Sequence, residues 1–575
     1  MIKKNTPFSV IILLLLSINL SAQNNFWASS NASEFRSALK DRVSTPSKYR
    51  TISLDSESFL DYASQARGRF SEMGANPLII TLPLPNGENE TFTLEDSELM
   101  HPELAAKFPQ LRTFSGKGIS DRTASLRITY SPYFGLSAMI LSGNHSTVYI
   151  DPITSDNTHY MSYFRNDLSQ TEIDFQCTTE EGIIESVDMN GLGQRAPALG
   201  DCNLRRYRLA QSCTGEYAQY HIGQAGGTTG TTAGDKAIVQ AAMNVTMNRV
   251  NGIYERDLGI TMQMVSNNDL VIYLNASTDP WTSEWNTKTA QTIDSQIGVS
   301  NYDIGHNFND TGGGNAGCLD CVCLSNSQNN IHKGRGYTGR AAPIGDPFDI
   351  DYVAHEMGHQ FGGYHVQSNN SCRSGSGSTE VETGSGSTIM GYAGICSANV
   401  QNNSDDYFAY VNIRDIVSSI NFGNASGCAE LIASGNSGPE ADAGLDYSIP
   451  ASTPFRLEGT GSDPNDSGLT YCWEQNDPEN PGSNSAPVST RTVGPMFRSI
   501  APVAVPYRYF PNISAIINNT TPTFEVLPSI SRSMDFSFIV RDNNSISGCT
   551  ASDLMTVTTV ATAGPFIVTS PNTNV

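Results

Sequence analysis

The most constraining feature of the sequence is a short segment with three histidines, His355-Glu-Met-Gly-His-Gln-Phe-Gly-Gly-Tyr-His365. His355 and His359 are four residues apart, so on a helix both imidazoles leave the same face. Gly362 and Gly363 allow the helix to end before His365, because glycine adopts the left-handed conformation without a Cβ penalty. The segment therefore predicts a helix, a chain reversal and a third imidazole that returns to the first two.

This arrangement predicts a metal site. Imidazole nitrogens at this spacing can hold one Zn²⁺, and three protein ligands complete a catalytic site that keeps one position open. His355, His359 and His365 are the predicted ligands. Glu356 lies beside them, within reach of a metal-bound water, where a carboxylate can act as general base. The alternative is a chance HExxH in an ordinary helix, which the added glycine and third histidine at fixed offsets disfavour.

The pattern HExxHxxGxxH resembles the metzincin zinc peptidases. Their Met-turn, which lies beneath the metal, is similar to Ser387-Thr-Ile-Met390-Gly-Tyr392. The His-Glu-Met-Gly-His core most resembles bacterial reprolysin-like enzymes, over roughly residues 200–430. The resemblance implies an α/β (α+β) catalytic domain with a mixed twisted sheet and an active-site helix. It also implies a zinc-dependent endopeptidase that hydrolyses protein substrates with a zinc-activated water and Glu356 as base.

Tyr392 leaves the subgroup open. It follows Met390 by two positions, as in astacin-like and serralysin-like metzincins, where this tyrosine can bind zinc or stabilise the transition state. A tyrosine of the core or the pocket wall is equally compatible with the sequence. An astacin- or serralysin-like enzyme is thus one alternative. A surface adhesin that uses a protease-like scaffold for binding is an alternative from another class.

The N-terminus predicts export. Lys3 and Lys4 precede an apolar run and a small-residue site at Ala22, which predicts a signal peptide over residues 1–22. The apolar run is too short to span a bilayer, which needs about 20 residues. A secreted protein is expected, with attachment to the cell surface left open. Its cysteines are then expected to form disulfides.

The charge balance limits the partners. Lys+Arg number 34 and Asp+Glu number 57, which gives a net charge of −23. An acidic chain is a poor general binder of nucleic acid and of anionic membrane. Protein or peptide substrates are the expected partners, together with the chain's own propeptide as an intramolecular inhibitor.

Changes in composition predict the domain order. Residues 23–197 are predicted to form a mainly-β propeptide, which ends in a small-residue linker where proteases can cut. Residues 198–433 are assigned to the protease. Residues 437–561 resemble a PKD-like module, which implies an all-β immunoglobulin-like sandwich. Residues 562–575 look like the start of a further β module or a tail.

Several local expectations follow from residue patterns. Residues 235–256 are predicted to form an amphipathic helix, and residues 270–274 a strand. Asp349 or Asp351 is expected to cap the helix that carries the histidines. In the β domain, Asp463-Pro-Asn-Asp466 can bind structural Ca²⁺, but an Asx turn is the favoured interpretation.

The eleven cysteines are an odd number. Cys472 and Cys549 are a plausible pair in the β domain, and eight cysteines in the protease region are expected to form disulfides. A small metal site at Cys318-x-x-Cys321-x-Cys323 is the alternative that the export signal disfavours.

Cys177 then stands alone in the predicted propeptide. Thiolate is a strong zinc ligand, so Cys177 could occupy the open zinc position and displace the water. Matrixins and reprolysins use such a cysteine switch, although Gln176-Cys177-Thr178-Thr179 lacks their usual flanking pattern. An incidental buried thiol is equally open.

Overall fold

The computed structural model describes residues 26–71, 77–169, 175–181, 199–326, 330–369, 371, 378–479 and 485–567. The predicted signal peptide, most of the predicted linker and the last residues of the tail lie outside the described residues. Within the described residues no helix is long and apolar enough to cross a membrane.

The N-terminal region is built on one antiparallel sheet of nine strands, in the order β1-β2-β9-β8-β7-β6-β5-β4-β3. Its elements are β1 Trp27–Ser29, β2 Arg50–Leu54, α1 Ser56–Ala63, β3 Leu78–Pro83, β4 Asn89–Asp96, α2 Pro102–Lys107, β5 Arg112–Lys117, β6 Ser125–Ser131, β7 Gly135–Leu141, β8 Val148–Pro152 and β9 His159–Phe164. Alternating apolar side chains, among them Phe92, Leu126 and Ile128, form its own core with Phe59 of α1. The region is mainly β, as its pattern predicts.

The central region has a mixed sheet in the order β11-β10-β12-β16-β13, with β17 paired to β10. Its strands are β10 Leu204–Cys213, β11 Ile260–Met264, β12 Ile304–Asn309, β13 Gly313–Asn315, β14 Ser325–Asn326, β15 Ile331–His332, β16 Gly336–Gly339 and β17 Glu430–Ile432. Its helices are α3 Gly215–Gln224, α4 Thr232–Leu258, α5 Trp285–Gln296, α6 His355–Gln360 and α7 Tyr410–Phe422. β11, β10, β12 and β16 run parallel, and the short edge strand β13 is antiparallel. This α/β arrangement places α6 against β16.

Helix α4 covers the predicted helix 235–256 and is buried on nearly every side. The sequence predicts one polar face, but the N-terminal sheet covers that face. Asn248 donates to the carbonyl of Ile128 in β6 at 3.0 Å. Glu255 forms a buried ion pair with Arg69 and another with Arg127. Asn248 and Glu255 of α4 therefore bind groups of the N-terminal region instead of water.

Two local expectations are wrong. Residues 270–274 do not form a strand, and a 3₁₀ turn, Asn268–Val271, stands there instead. The Asn268 side chain makes the hydrogen bonds that a neighbouring strand would make. It accepts from Gln211 N at 2.7 Å and donates to Gln211 O at 3.0 Å. Neither predicted aspartate caps the helix, which begins at Pro347. Asp349 binds Thr246 and Arg249, and Asp351 accepts from Ser404 N.

The C-terminal region is a β structure with one short helix. Its elements are β18 Glu440–Asp442, β19 Tyr447–Pro450, β20 Phe455–Glu458, β21 Thr460–Ser462, β22 Thr470–Gln475, β23 Tyr507–Phe510, α8 Ile513–Asn518, β24 Arg532–Arg541 and β25 Thr550–Val560. The main sheet has the order β19-β25-β24-β22, and β18–β21 and β20–β23 form two smaller sheets. Trp473, Phe497 and Phe536 belong to the core between them. Asp463 accepts from the backbone N–H groups of Asn465 and Asp466, which is the favoured Asx turn.

The disulfides join the regions differently from the expected pairs. The bonds are Cys202–Cys549, Cys318–Cys321 and Cys323–Cys428, and Cys396 is also disulfide-bonded. The predicted pair Cys472–Cys549 is wrong, because Cys549 is bonded to Cys202 of the central region and Cys472 is a free, buried thiol. Cys213 is free as well, so the expected pairing of all eight protease cysteines is also wrong. Counting within regions could not reveal a bond between regions.

Candidate metal centre

The helix that carries the first two histidines is entered through a π-helical stretch, Pro347–Ala354. Proline fits this first position because its missing N–H would have no partner there. The hydroxyl of Tyr254 on α4 donates to the carbonyl of Ala354 at 2.7 Å, which fixes the stretch to the core. α6 ends at Gln360, and two residues later Gly362 has a φ of 97°, which glycine adopts readily. The chain therefore reverses and brings His365 back toward α6.

Three imidazoles converge at this turn. The Nε2 atom of His359 lies 3.1 Å from that of His355, and the Nε2 atom of His365 lies 3.2 Å from each of the other two. Zn–N bonds of 2.0–2.1 Å in tetrahedral geometry separate the nitrogens by about 3.3 Å. The three nitrogens thus fit a single zinc ion.

The other ring nitrogens orient the imidazoles. His355 Nδ1 donates to the carbonyl of Ile389 and His359 Nδ1 to that of Gly363, both at 2.7 Å. His365 Nδ1 lies 2.8 Å from a carboxylate oxygen of Glu181. Such partners fix the tautomer in which Nε2 is free to bind a metal. Burial lowers the pKa of His355 to about 3 and that of His359 well below its usual value, so both rings are neutral.

Met390 lies directly beneath the helix. A Cβ at Gly358 would stand 2.6 Å from the sulfur of Met390, so this glycine allows the close contact between α6 and the turn. The turn is held by the buried Glu382, whose Oε2 accepts from the backbone N–H groups of Ser387 and Thr388 at 3.2 Å. Since Ile389 orients His355, the turn also positions a histidine.

Glu356 is fully buried on α6, next in sequence to His355. Burial raises the pKa of its carboxyl to about 8. Its Oε2 accepts from the hydroxyl of Thr179 at 3.1 Å. A Cβ at Gly314 of β13 would meet the Glu356 carboxylate, so the edge strand passes very close to this group.

Residues 175–181 of the N-terminal region, here called the plug segment, lie across the histidines. Gly314 N donates to Gln176 O at 3.1 Å and Thr178 N to Gly314 O at 2.9 Å, so the segment pairs with β13 as an added strand. Phe175 stacks on Tyr352 with ring centres 3.9 Å apart. An extended peptide laid on a sheet edge is a common mode of peptide recognition.

Cys177 is the residue of the plug segment that faces the Nε2 atoms of the three histidines. Its sulfur lies 3.6 Å from His359 Nε2. Cys177 and the three histidines form a group whose ligand atoms all lie within 4.8 Å of one another. Burial raises the pKa of the Cys177 thiol well above its usual value.

Tyr392 closes another side of the site. Its ring centre lies 4.7 Å from that of His365. Its hydroxyl donates to the carbonyl of Cys177 at 3.4 Å, and burial raises the pKa of its phenol. Tyr392 thus contacts both the plug segment and His365, one of the predicted zinc ligands.

The remaining histidines of the central region serve the scaffold. His306 is buried between the side chains of Gln360 and Thr338. His332 pairs with Asp294, and His221 is buried beside Tyr217.

Sequence reasoning missed three residues of the site: Glu181, Thr179 and Glu382. Glu181 accepts from both the backbone N–H and Nδ1 of His365. A signal for Glu181 and Thr179 was their nearness to Cys177, the one cysteine with no expected disulfide partner. Glu382 had none, because it stands among glycines and serines with no periodic pattern.

The comparisons with known proteins agree with this geometry. Residues 207–420 match the model of the Metallo-peptidase family M12B Reprolysin-like. No curated protein and no solved structure matches the chain. The family match supports a zinc-dependent metalloprotease, and the mixed α/β central region with its three histidines fits a metzincin catalytic domain.

Proposed function

We propose that the chain is a secreted zinc endopeptidase made as a latent precursor. The observation that carries the proposal is the triangle of imidazole nitrogens, each ring oriented by a partner at Nδ1. The matched family supports peptide or protein substrates. The assigned parts are a signal peptide at 1–22, a propeptide at 23–197, a protease at 198–433 and a β domain at 437–561.

The proposed mechanism assigns one role to each side chain. His355, His359 and His365 would hold the Zn²⁺, which supplies Lewis acidity and a water of lowered pKa. Glu356 accepts a proton from the attacking water and passes it to the leaving amine. Tyr392 is placed to donate to the oxyanion of the tetrahedral intermediate. The edge of β13, where Gly314 now pairs with the plug segment, would bind the substrate backbone.

Latency follows from the plug segment. The Cys177 sulfur lies beside His359 Nε2, and the Thr179 hydroxyl donates to the Glu356 carboxylate. The plug segment therefore covers the ligands, the general base and the substrate edge at once. We assign Cys177 as the inhibitory residue and cleavage near the end of the propeptide as the activating step.

The deciding experiment is the Glu356→Ala variant of the matured protein. We expect it to keep its fold and one equivalent of zinc and to lose casein hydrolysis by at least about 10²-fold, because the general base is gone. Wild-type activity should be abolished by a chelator and restored by Zn²⁺. Glu430→Ala, which removes only an exposed contact with Arg206, is the folding control.

Full activity in Glu356→Ala would overturn the assignment. A wild-type protein that binds zinc, stays inert after maturation and still binds other proteins would instead favour the adhesin alternative.

A further inference from the structure

A second group of potential metal ligands lies in the N-terminal region, at one end of the nine-stranded sheet. Glu90 is at the start of β4, Asp121 in the loop between β5 and β6, and His145 in the loop between β7 and β8. The three residues offer ligand atoms that all lie within 4.8 Å of one another. Strands β4 to β8 are antiparallel neighbours in the sheet, so the start of β4 and these two loops lie at the same end of those strands.

The imidazole of His145 is oriented in the same way as those of the candidate catalytic site. Its Nδ1 lies 2.8 Å from the carbonyl of Ser146, which can only accept, so Nδ1 carries the proton. In the neutral ring, Nε2 then presents a lone pair to Glu90 Oε2 at 3.4 Å. A cation must stand between these two acceptors, either a proton carried by the imidazole or a metal ion, and the spacing matches that of two ligands on one zinc ion.

The surroundings of the Glu90 and Asp121 carboxylates also favour a bound cation. Glu90 is 4% exposed, and its Oε1 has no hydrogen-bond partner among the described residues. Asp121 is held by donors on both oxygens: Thr123 N at 2.8 Å and the hydroxyl of Ser142 at 2.6 Å. A proton on His145 would satisfy only the contact with Glu90. A metal ion would in addition offer a partner to the buried Oε1 atom of Glu90. It would also bind Asp121, whose carboxylate is already oriented by hydrogen bonds.

We propose that Glu90, Asp121 and His145 form a second metal site, which binds a divalent transition cation, with Zn²⁺ the best match. One imidazole and two carboxylates suit zinc, whereas Ca²⁺ prefers oxygen ligands alone. The site would pin the start of β4 and two loops at the end of the sheet that adjoins the C-terminal region, where Ala504 N donates to Gly143 O at 3.0 Å. It is independent of the proposed hydrolysis.

The test is zinc content and zinc-dependent melting of the full-length precursor. We expect two equivalents of zinc in the wild type and one in His145→Ala, with at least tenfold weaker binding at the lost site. Glu90→Gln should behave likewise. His159→Ala, in the same sheet but outside both groups, should keep two. Added Zn²⁺ should raise the melting temperature of His359→Ala but not of the His145→Ala/His359→Ala double variant.

Equal zinc content in wild type, His145→Ala and Glu90→Gln would overturn the proposal and leave an ion pair at this position. A variant that fails to fold is replaced by Asp121→Asn, for which the same loss is required. Failure of the proposed catalytic site gives a different result: one equivalent in the wild type and none in His145→Ala.

Discussion

At the scale of single residues, the histidines and the Met390 turn of the candidate site are each held in place by hydrogen bonds to neighbouring groups. The histidines are fixed through Nδ1 and the Met390 turn is fixed through Glu382. This preorganisation means that a change in one side chain should alter one function and leave the fold intact.

Replacement of Cys177 tests the latency proposal. Cys177→Ala should raise the activity of the uncleaved precursor, because no sulfur then stands beside His359 Nε2. Activity on a fluorogenic peptide before and after maturation measures the effect. Cys213→Ala, which removes another free buried thiol outside the group of Cys177 and the three histidines, is the matched control. Unchanged latency in Cys177→Ala would show that another contact of the plug segment closes the site.

Replacement of Tyr392 separates its two interpretations. If the phenol donates to the oxyanion, Tyr392→Phe should lower kcat by about 10²-fold with little change in KM or zinc content. Steady-state kinetics on the matured enzyme gives the answer. An unchanged kcat would assign Tyr392 to the pocket wall.

At the scale of elements, the N-terminal sheet is fastened to the protease by buried charge. Arg165, in the turn after β9, lies within 3.7 Å of four carboxylates, those of Asp346, Asp351, Asp405 and Asp406. Arg165 is 7% exposed. Burial raises the pKa of Asp351 and of Asp406, so these two carboxylates are costly to ionise even beside the guanidinium.

Removal of this cation should loosen the precursor. We expect Arg165→Met to lose about 3–5 kcal/mol of stability, because it leaves buried carboxylates without a counter-charge. Basal activity of the uncleaved protein should rise at the same time. Urea unfolding and peptide hydrolysis report the two effects. Lys107→Met, which breaks a more exposed contact with Asp269 between the same two regions, should cost no more than about 1 kcal/mol. Equal losses in both variants would contradict the anchoring role.

Some elements could be predicted from the sequence because their signals are local. The strand at Leu78, helix α4 and the histidine helix follow from periodicity, and the ligand triangle follows from the spacing of His355 and His359. The polar face of α4 does not face water, because it is covered by the N-terminal sheet, which lies far from α4 in the sequence. The 3₁₀ turn at Asn268 replaced a strand because one amide side chain supplies both hydrogen bonds. The role of Glu181 depends on contacts between distant parts of the chain, which no local pattern contains.

At the scale of the whole molecule, the C-terminal region is part of the structural unit of the protease. Arg541 of β24 forms a fully buried ion pair with Asp257 of α4. Tyr410 N, at the start of α7, donates to Glu474 of β22 at 2.8 Å. Buried contacts thus join the C-terminal region to the central region.

Loss of the bond between the regions should destabilise the protein. Cys549→Ser should cost about 2–5 kcal/mol, because the bond Cys202–Cys549 restricts a long loop of the unfolded chain. Guanidinium unfolding followed by tryptophan fluorescence measures it. Cys472→Ser, at a buried thiol of the same region without a disulfide, controls for the substitution itself. A smaller loss in Cys549→Ser than in Cys472→Ser would contradict the prediction.

The bond Cys202–Cys549 has a topological consequence. It closes the intervening chain, with a sequence separation of 347, into a covalent ring that holds both the protease and most of the β domain. A cut before Cys202 removes the N-terminal region and leaves the ring whole. A single cut inside the ring opens it into two polypeptides that remain one particle. Such a nicked enzyme would migrate as one species until a reductant separates its parts.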